Sequence, residues 1–164
     1  MTANREPRIA NRDLRVAPLP IIRVPFSGAF TVADLVFFYG TLMAGFDRRR
    51  RAGIDDKLTY VGRGAIQAAL FDVGLYPAAV PALEGLVWGE VYSVRERATV
   101  LAALDEIEGY RADDPDRSLY VRQETEVRLP DGAFAQAHVY FYNAPLGKAP
   151  RITSGDYLEY VRGR

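Results

Sequence analysis

Only one long stretch of the sequence follows the helical repeat, and it runs from Arg95 to Glu108. Its apolar residues recur every three or four positions, so they share one face of a helix. These residues are Val100, Leu101, Leu104 and Ile107. Gly109 comes next and is suited to end the helix, because glycine tolerates a positive φ. With a single main helix, the chain has to build most of its core from β-strands.

Four strands are predicted before this helix. The run LVFFYG, residues 35–40, is apolar and aromatic, and it predicts a buried strand that leads into a tight loop. Residues 57–73 predict two short strands joined by glycine bends or bulges. Residues 74–85 contain two prolines and are predicted to form mostly loop. Alternating side chains in residues 85–94, GLVWGEVYSV, predict a further strand.

Two more strands are predicted after the helix. They cover residues 119–129 and 133–143, and the intervening Pro-Asp-Gly sequence is typical of a hairpin turn. The polar segment at residues 156–164 can form a last helical turn. About six strands and one main helix predict an α+β domain, in which an antiparallel barrel or curled sheet carries a packed helix.

The first part of the chain differs in character from the rest. Residues 1–34 mix arginine, asparagine and proline, and they predict an extended, partly disordered arm. Such an arm can lie on a second subunit, so a homodimer formed through it is one candidate assembly. Residues 35–164 are long enough for one domain with its own core.

Charge and composition limit the partners of the protein. The chain has 21 basic and 21 acidic residues, so no net positive charge attracts nucleic acid. The N-terminal residues lack the apolar stretch of a signal peptide, and no apolar run has the length of a membrane span. The absence of cysteine fits a reducing compartment. We therefore expect a cytoplasmic protein that binds neither nucleic acid nor membranes.

The chemistry available to the side chains is narrow. With His138 as the one histidine and no cysteine, a multi-histidine or thiolate metal site cannot form. The sequence also lacks the nucleophile-elbow, Walker and dinucleotide-binding motifs. Catalysis would therefore depend on carboxylates, backbone dipoles and tyrosines. His138 lies in the middle of a predicted strand, where a structural role is the simpler interpretation.

The candidate carboxylate is Glu108, in the segment LDEIEGY. It ends the predicted helix, where the negative end of the helix dipole disfavours a further negative charge. A carboxylate in an unfavourable position suggests a function, and a solvated surface residue beside a glycine cap is the alternative. Asp105 and Glu106 share the segment, so the pattern alone does not identify the functional acid.

The candidate anion site is the turn Tyr39–Leu42, with the sequence YGTL. Gly40 allows successive backbone N–H groups to point into one concavity that can hold a carboxylate or an oxyanion. The alternative is an ordinary strand end. Arg48–Arg51 form a basic run that is either a solvated turn or a contact for an acidic substrate or partner. Tyr76 and Pro77 are interpreted as loop residues.

These motifs occur in a recognisable order. FFYGTL lies near the start of the domain and is followed by YPAAV, GLVWGEVYSV, LDEIEGY and LYVRQETEV. In this order, over Val36–Tyr142, the chain resembles the γ-glutamylcyclotransferase-like family, which includes the γ-glutamylamine cyclotransferases and the plant avirulence-induced proteins. The resemblance implies a small mixed, mainly antiparallel β-barrel with one main packed helix, whose cavity holds a γ-glutamyl group.

The resemblance also implies which residues form the site. The catalytic glutamate of the family corresponds to Glu108. The implied substrate-binding residues are Tyr39, Gly40, Thr41 and Leu42, from the family's Y-G-S/T-L loop, and Tyr120, which opens the following strand. Tyr142 ends the last strand and is a candidate for the pocket rim, with core packing as the alternative. The loop at residues 113–116 is longer and more acidic than the family pattern.

The implied reaction is an intramolecular cyclisation. The α-amine of a γ-glutamyl substrate attacks its own γ-carbonyl and releases 5-oxoproline and a free amine, with Glu108 as general acid and base. It needs no external nucleophile, metal or cofactor. The identity of the leaving amine stays open. Two other functions also stay open: a non-catalytic module that binds a small molecule or a protein, and a scaffold that holds another chain through the arm.

Overall fold

The structure is a computed structural model that describes residues 34–164. The predicted arm, apart from its last residue, and the homodimer through it therefore lie outside the described residues. The strands are β1 Leu35–Phe38, β2 Leu58–Asp72, β3 Pro77–Val94, β4 Tyr120–Arg128 and β5 Phe134–Tyr142. The helices are α1 Arg48–Arg51, α2 Arg97–Glu108 and α3 Tyr157–Arg162, and short 3-10 turns cover Asp55–Lys57 and Pro115–Arg117.

The five strands close into a barrel in the order β1-β3-β2-β4-β5. Neighbouring strands are antiparallel except at the seam, where β1 runs parallel to β5 and Val36 pairs with His138. This confirms the predicted mixed, mainly antiparallel barrel. Its core consists of fully buried apolar side chains, among which the largest are Phe37, Met43, Ile54, Ile66, Leu70 and Leu104.

The two short strands predicted for residues 57–73 are one strand, β2, of 15 residues. The register against β3 shifts between Tyr60 and Gly62, which indicates a β-bulge. The strand continues past this bulge. Gly64 marks a close approach: an added Cβ would lie 2.9 Å from the side chains of Val91 and Val127. Glycine at this position therefore allows neighbouring side chains to approach the backbone closely, and it does not end the strand.

The loop predicted for residues 74–85 is wrong, because β3 begins at Pro77. Pro77 pairs with Asp72 and Pro81 pairs with Ala68 on β2, while β1 pairs with β3 only at residues 90–93 within the described chain. Proline costs little where one side of a strand has no partner, because no ladder hydrogen bond is lost there. The register shift between Gln67 and Ala68 leaves residues 82–85 bulging out of the ladder.

The helical and hairpin predictions are confirmed with shorter bounds. α2 begins at Arg97 rather than Arg95 and ends at Glu108, and Gly109 caps it with a φ of 64°. β4 and β5 form the predicted hairpin, and its turn is closed by the Gly132 N–H, which donates to the Leu129 carbonyl at 2.9 Å. The C-terminal segment forms α3. Within residues 34–164, none of the helices combines the length and the apolar character that a membrane span requires.

Candidate active site

A narrow pocket lies where β1 and α2 end and where β3 and β4 begin. Its cavity volume is about 30 Å³, and the hollow including the open mouth measures about 360 Å³. The enclosed part is therefore narrow, and most of the hollow lies at the mouth. The residues that line it are Phe37, Phe38, Tyr39, Gly40, Thr41, Leu42, Arg48, Tyr76, Pro77, Glu108, Tyr120 and Tyr140.

The pocket brings together most of the predicted site residues. Glu108, the turn Tyr39–Leu42 and Tyr120 all line it, although they come from three separate parts of the chain. Tyr142 does not line it. Tyr142 is the cross-strand partner of Tyr120, and the two rings meet edge to face with their centres 5.3 Å apart. The ring of Tyr142 therefore packs against Tyr120, which does line the cavity.

The turn after β1 depends on glycine for a reason different from the predicted one. Gly40 does not have a positive φ. A Cβ at this position would lie 2.7 Å from Cγ of Pro77, so glycine is needed because β3 begins directly against the turn. The Met43 N–H donates to the Gly40 carbonyl at 2.9 Å and closes the turn. Thr41 Oγ1 accepts a hydrogen bond of 2.8 Å from Nη1 of Arg48.

The tyrosines of the pocket hold its walls together. The Tyr39 hydroxyl donates to the Tyr140 carbonyl at 2.6 Å and accepts from the Ala79 N–H at 3.4 Å. The Tyr120 hydroxyl donates to the Pro77 carbonyl at 3.0 Å. Burial raises the pKa of both phenols far above neutrality. Both tyrosines therefore stay protonated and cannot act as the base of the site.

The three acids of the LDEIEGY segment have different surroundings. Oδ1 of Asp105 accepts a hydrogen bond of 2.6 Å from the Tyr140 hydroxyl and lies 3.1 Å from Nη1 of Arg122. These contacts tie α2 to β4 and β5. Glu106 is exposed to solvent, and Glu108 reaches the pocket. Asp105 therefore has a structural role, Glu106 faces solvent, and Glu108 is the acid of this segment that lines the pocket.

The electrostatics of Glu108 suit proton transfer. Burial raises its pKa from 4.5 to about 7, and the positive charge of Arg48 opposes this shift. The position of Glu108 at the negative end of α2 disfavours the ionised form further. A carboxyl group with a pKa near neutrality can accept a proton in one step and return it in the next.

Sequence reasoning missed part of the pocket. Tyr140 was not singled out, although it lies two residues before Tyr142 on the same strand and the alternation of β5 predicts the same face. Arg48 stands among four successive arginines, and nothing in that run distinguishes it. Its guanidinium lies 4.9 Å from the ring centre of Tyr76, at the mouth of the pocket. The acidic loop at residues 113–116 does not line the pocket.

The chain matches the profile of a known protein family. The profile of the family described as gamma-glutamyl cyclotransferase, AIG2-like, matches residues 36–159. A comparison with functionally curated proteins finds no match. The solved structure of an AIG2-like protein from Mus musculus is 25% identical, with a TM-score of 0.58 over 74% of this chain and 86% of that one.

One bacterial and one archaeal structure are also similar to this chain. Protein ytfP of Escherichia coli is 29% identical, with a TM-score of 0.54 over 77% of this chain and 98% of that one. An uncharacterized protein of Pyrococcus horikoshii is 23% identical, with a TM-score of 0.55 over 79% of this chain and 94% of that one, and it supports the fold alone.

The family match confirms the resemblance seen in the motifs. Residues 36–159 are far more than half of the 164-residue chain, and they include both the turn after β1 and Glu108. The chain therefore belongs to the gamma-glutamyl cyclotransferase, AIG2-like family.

Proposed function

We propose that this protein is a γ-glutamyl cyclotransferase, which converts a γ-glutamyl amide into 5-oxoproline and a free amine. The observation that carries the proposal is Glu108, a carboxyl group whose pKa is raised to about 7 in a narrow pocket beside the turn Tyr39–Leu42. The reaction needs one group that moves a proton and one that stabilises negative charge. Glu108 supplies the first and the turn supplies the second.

The chemistry proceeds without an added nucleophile. The α-ammonium group of the substrate gives a proton to the Glu108 carboxylate, and the resulting amine attacks the γ-carbonyl carbon. A C–N bond closes the five-membered ring, and the original amide C–N bond then breaks. Glu108 gives its proton to the departing nitrogen as that bond breaks, and it then passes on the second proton, which the ring nitrogen sheds. The products are therefore a lactam N–H and an ammonium ion, and Glu108 ends ionised, as it began. Because both reacting groups belong to one molecule, the pocket has only to hold the substrate folded.

The turn after β1 is suited to negative charge. Gly40, Thr41 and Leu42 all line the pocket, and backbone N–H groups are strong donors for a carboxylate or a developing oxyanion. Gly40 lies directly against Pro77, and the Met43 N–H donates to the Gly40 carbonyl, so these contacts hold the turn in place. Such preorganised donors lower the barrier, since they need no rearrangement as charge develops on the substrate.

The rate should depend on pH in a defined way. We expect kcat/KM to rise with pH around a midpoint of about 7, as Glu108 loses the proton that blocks its action as base. Tyr39 and Tyr120 also face Glu108, and burial raises the pKa of both phenols and keeps them protonated, so neither adds a second step near neutrality. The substrate amine affects only the alkaline side. A profile that is flat through neutrality would contradict Glu108 as the base.

The direct test is product formation from a panel of substrates. Purified protein is incubated with γ-glutamyl amino acids, γ-glutamyl alkylamides and γ-glutamyl-ε-lysine, and 5-oxoproline is measured by mass spectrometry. The matched controls are the α-glutamyl isomers, which place the amine and the amide in the wrong relation for this cyclisation. Product from γ-glutamyl but not α-glutamyl compounds supports the proposal. Binding without turnover would instead favour a non-catalytic binding module.

A further inference from the structure

Arg48 lies between the pocket and a second hollow. Its side chain lines the pocket with Glu108, and it also lines a broad groove between α1 and α2. The groove measures about 540 Å³, whereas the cavity at Glu108 measures about 30 Å³. A substrate whose reacting end lies at Glu108 has space for its leaving group towards the groove and not within the cavity.

The charges on α1 single out Arg48 among its neighbours. Arg49 lies 3.2 Å from Asp55, and both Arg50 and Arg51 pair with Asp47. Within the described part of the chain, Arg48 forms no such ion pair with a carboxylate. Its charge does act on the Glu108 carboxyl in the pocket, but Arg48 is the arginine of α1 that no ion pair within residues 34–164 holds, so it can contact an anion at the mouth.

The position of Arg48 is fixed by neutral partners. Nη1 donates to Thr41 Oγ1 at 2.8 Å, and the guanidinium plane packs over the ring of Tyr76. An arginine has five N–H donors, so one bond to a hydroxyl leaves an edge free for a carboxylate. The contact with Tyr76 holds this edge at the mouth without neutralising its charge.

We propose that Arg48 binds a carboxylate carried by the leaving amine, so that the protein prefers γ-glutamyl amides whose leaving amine is an amino acid. This inference rests on the proposed cyclotransferase function. In such a substrate one carbon separates the carboxylate from the scissile nitrogen. The carboxylate therefore lies close to the reacting bond, at the mouth of the cavity. Arg48 stands at that exit, while the turn Tyr39–Leu42 lies inside with the γ-glutamyl end.

Two substrates isolate this contact. γ-Glutamylglycine and γ-glutamylmethylamide share the γ-glutamyl end, including its α-carboxylate, and differ by the carboxylate on the leaving amine. We measure kcat/KM for both with the wild type, Arg48→Gln and Arg48→Lys, and form the ratio of glycine to methylamide substrate. The assay is run above the pH at which Glu108 titrates, because loss of the Arg48 charge also raises the pKa of Glu108.

The expected result is a change in selectivity. The wild type favours γ-glutamylglycine, and Arg48→Gln lowers the ratio by about 10-fold to 100-fold, which is typical for loss of a charge-assisted hydrogen bond. Arg48→Lys keeps the positive charge but not the paired N–H donors of the guanidinium group. Its ratio should therefore lie between those of the wild type and Arg48→Gln. The matched control is Arg50→Gln, which changes an exposed arginine of the same helix and keeps the wild-type ratio.

Other outcomes separate this inference from the proposed function. If Arg48→Gln lowers kcat/KM equally for both substrates, Arg48 holds the γ-glutamyl end and the inference is overturned while the cyclotransferase activity stands. Equal kcat/KM for the two substrates in the wild type overturns it as well, even if the variants fail to fold. Absence of 5-oxoproline from every γ-glutamyl compound overturns the function and the inference together.

Discussion

Replacing Glu108 with glutamine should lower kcat for 5-oxoproline formation by about 100-fold to 10,000-fold, the usual contribution of a general acid and base. Glutamine keeps the size of the side chain and its hydrogen-bonding reach, but its amide cannot accept a proton at neutral pH. The pocket would still bind the substrate, so KM should change little. The measurement is a steady-state assay of wild type and variant with the best γ-glutamyl substrate.

The same variant should be more stable than the wild type at alkaline pH. In the folded chain the pKa of Glu108 is about 7, against an ordinary value of 4.5, so the protein loses stability as pH rises between these values. Above the folded-state pKa, Glu108→Gln should gain about 2 kcal/mol in free energy of unfolding, after allowance for solvent at the mouth. Below pH 4.5 the difference should vanish, because Glu108 is then protonated in both states.

Glu106→Gln is the matched control for both measurements. Glu106 belongs to the same helix end but is exposed and lines the groove, not the pocket. With a substrate whose leaving group is small, the substitution should therefore leave activity and pH-dependent stability close to those of the wild type. Normal turnover by Glu108→Gln would remove Glu108 from the mechanism. A loss of activity accompanied by lower stability at alkaline pH would point to damaged packing and not to a lost proton acceptor.

Replacing Gly89 with alanine should destabilise the barrel by about 3 kcal/mol or more, because backbone atoms cannot move aside easily. An added Cβ would lie 2.2 Å from the Phe38 carbonyl oxygen and 2.7 Å from Cζ of Phe37. Phe38 ends β1 directly before the turn Tyr39–Leu42, so a shift here displaces the candidate anion site too. Activity should fall with stability.

Gly132→Ala separates the clash from the general cost of losing a glycine. Gly132 has a φ of 83°, yet an added Cβ would meet no atom within 4 Å. Its expected cost is the backbone strain alone, about 1 to 2 kcal/mol, with activity unchanged. Chemical denaturation of both variants provides the comparison. If Gly89→Ala is as stable as Gly132→Ala or more stable, the prediction is wrong, and β3 does not pack so closely against β1 at Gly89.

The architecture could be predicted where local patterns decide it. α2 follows the 3.6-residue repeat, and the β4–β5 hairpin follows from a Pro-Asp-Gly turn between alternating strands. The start of β3 could not be predicted in this way. Whether Pro77 and Pro81 fit a strand depends on whether another strand pairs beside them, and β1 is too short to reach them. The pairing of a strand depends on the whole sheet, so the sequence of residues 77–81 alone does not determine it.

The site shows the same division between local and distant causes. A pattern of residues could suggest Glu108, but its distinction from Asp105 depends on Tyr140 and Arg122, which belong to other strands. Gly40 was predicted as a residue of the turn, yet the reason for glycine there is Pro77, from the start of β3. Both sets of contacts join segments that are far apart in the sequence, so the spacing of residues within one segment does not reveal them.

The seam of the barrel has a consequence for how the protein folds. β2 with β3 and β4 with β5 join neighbours along the chain, so both pairs can form early. β1 has only four residues and must pair with β3 and with His138, roughly one hundred residues further on, which carries a large loop-closure cost. The turn of the pocket directly follows this strand. The candidate site can therefore be complete only after β5 has been synthesised, because the strand that carries its turn pairs with β5.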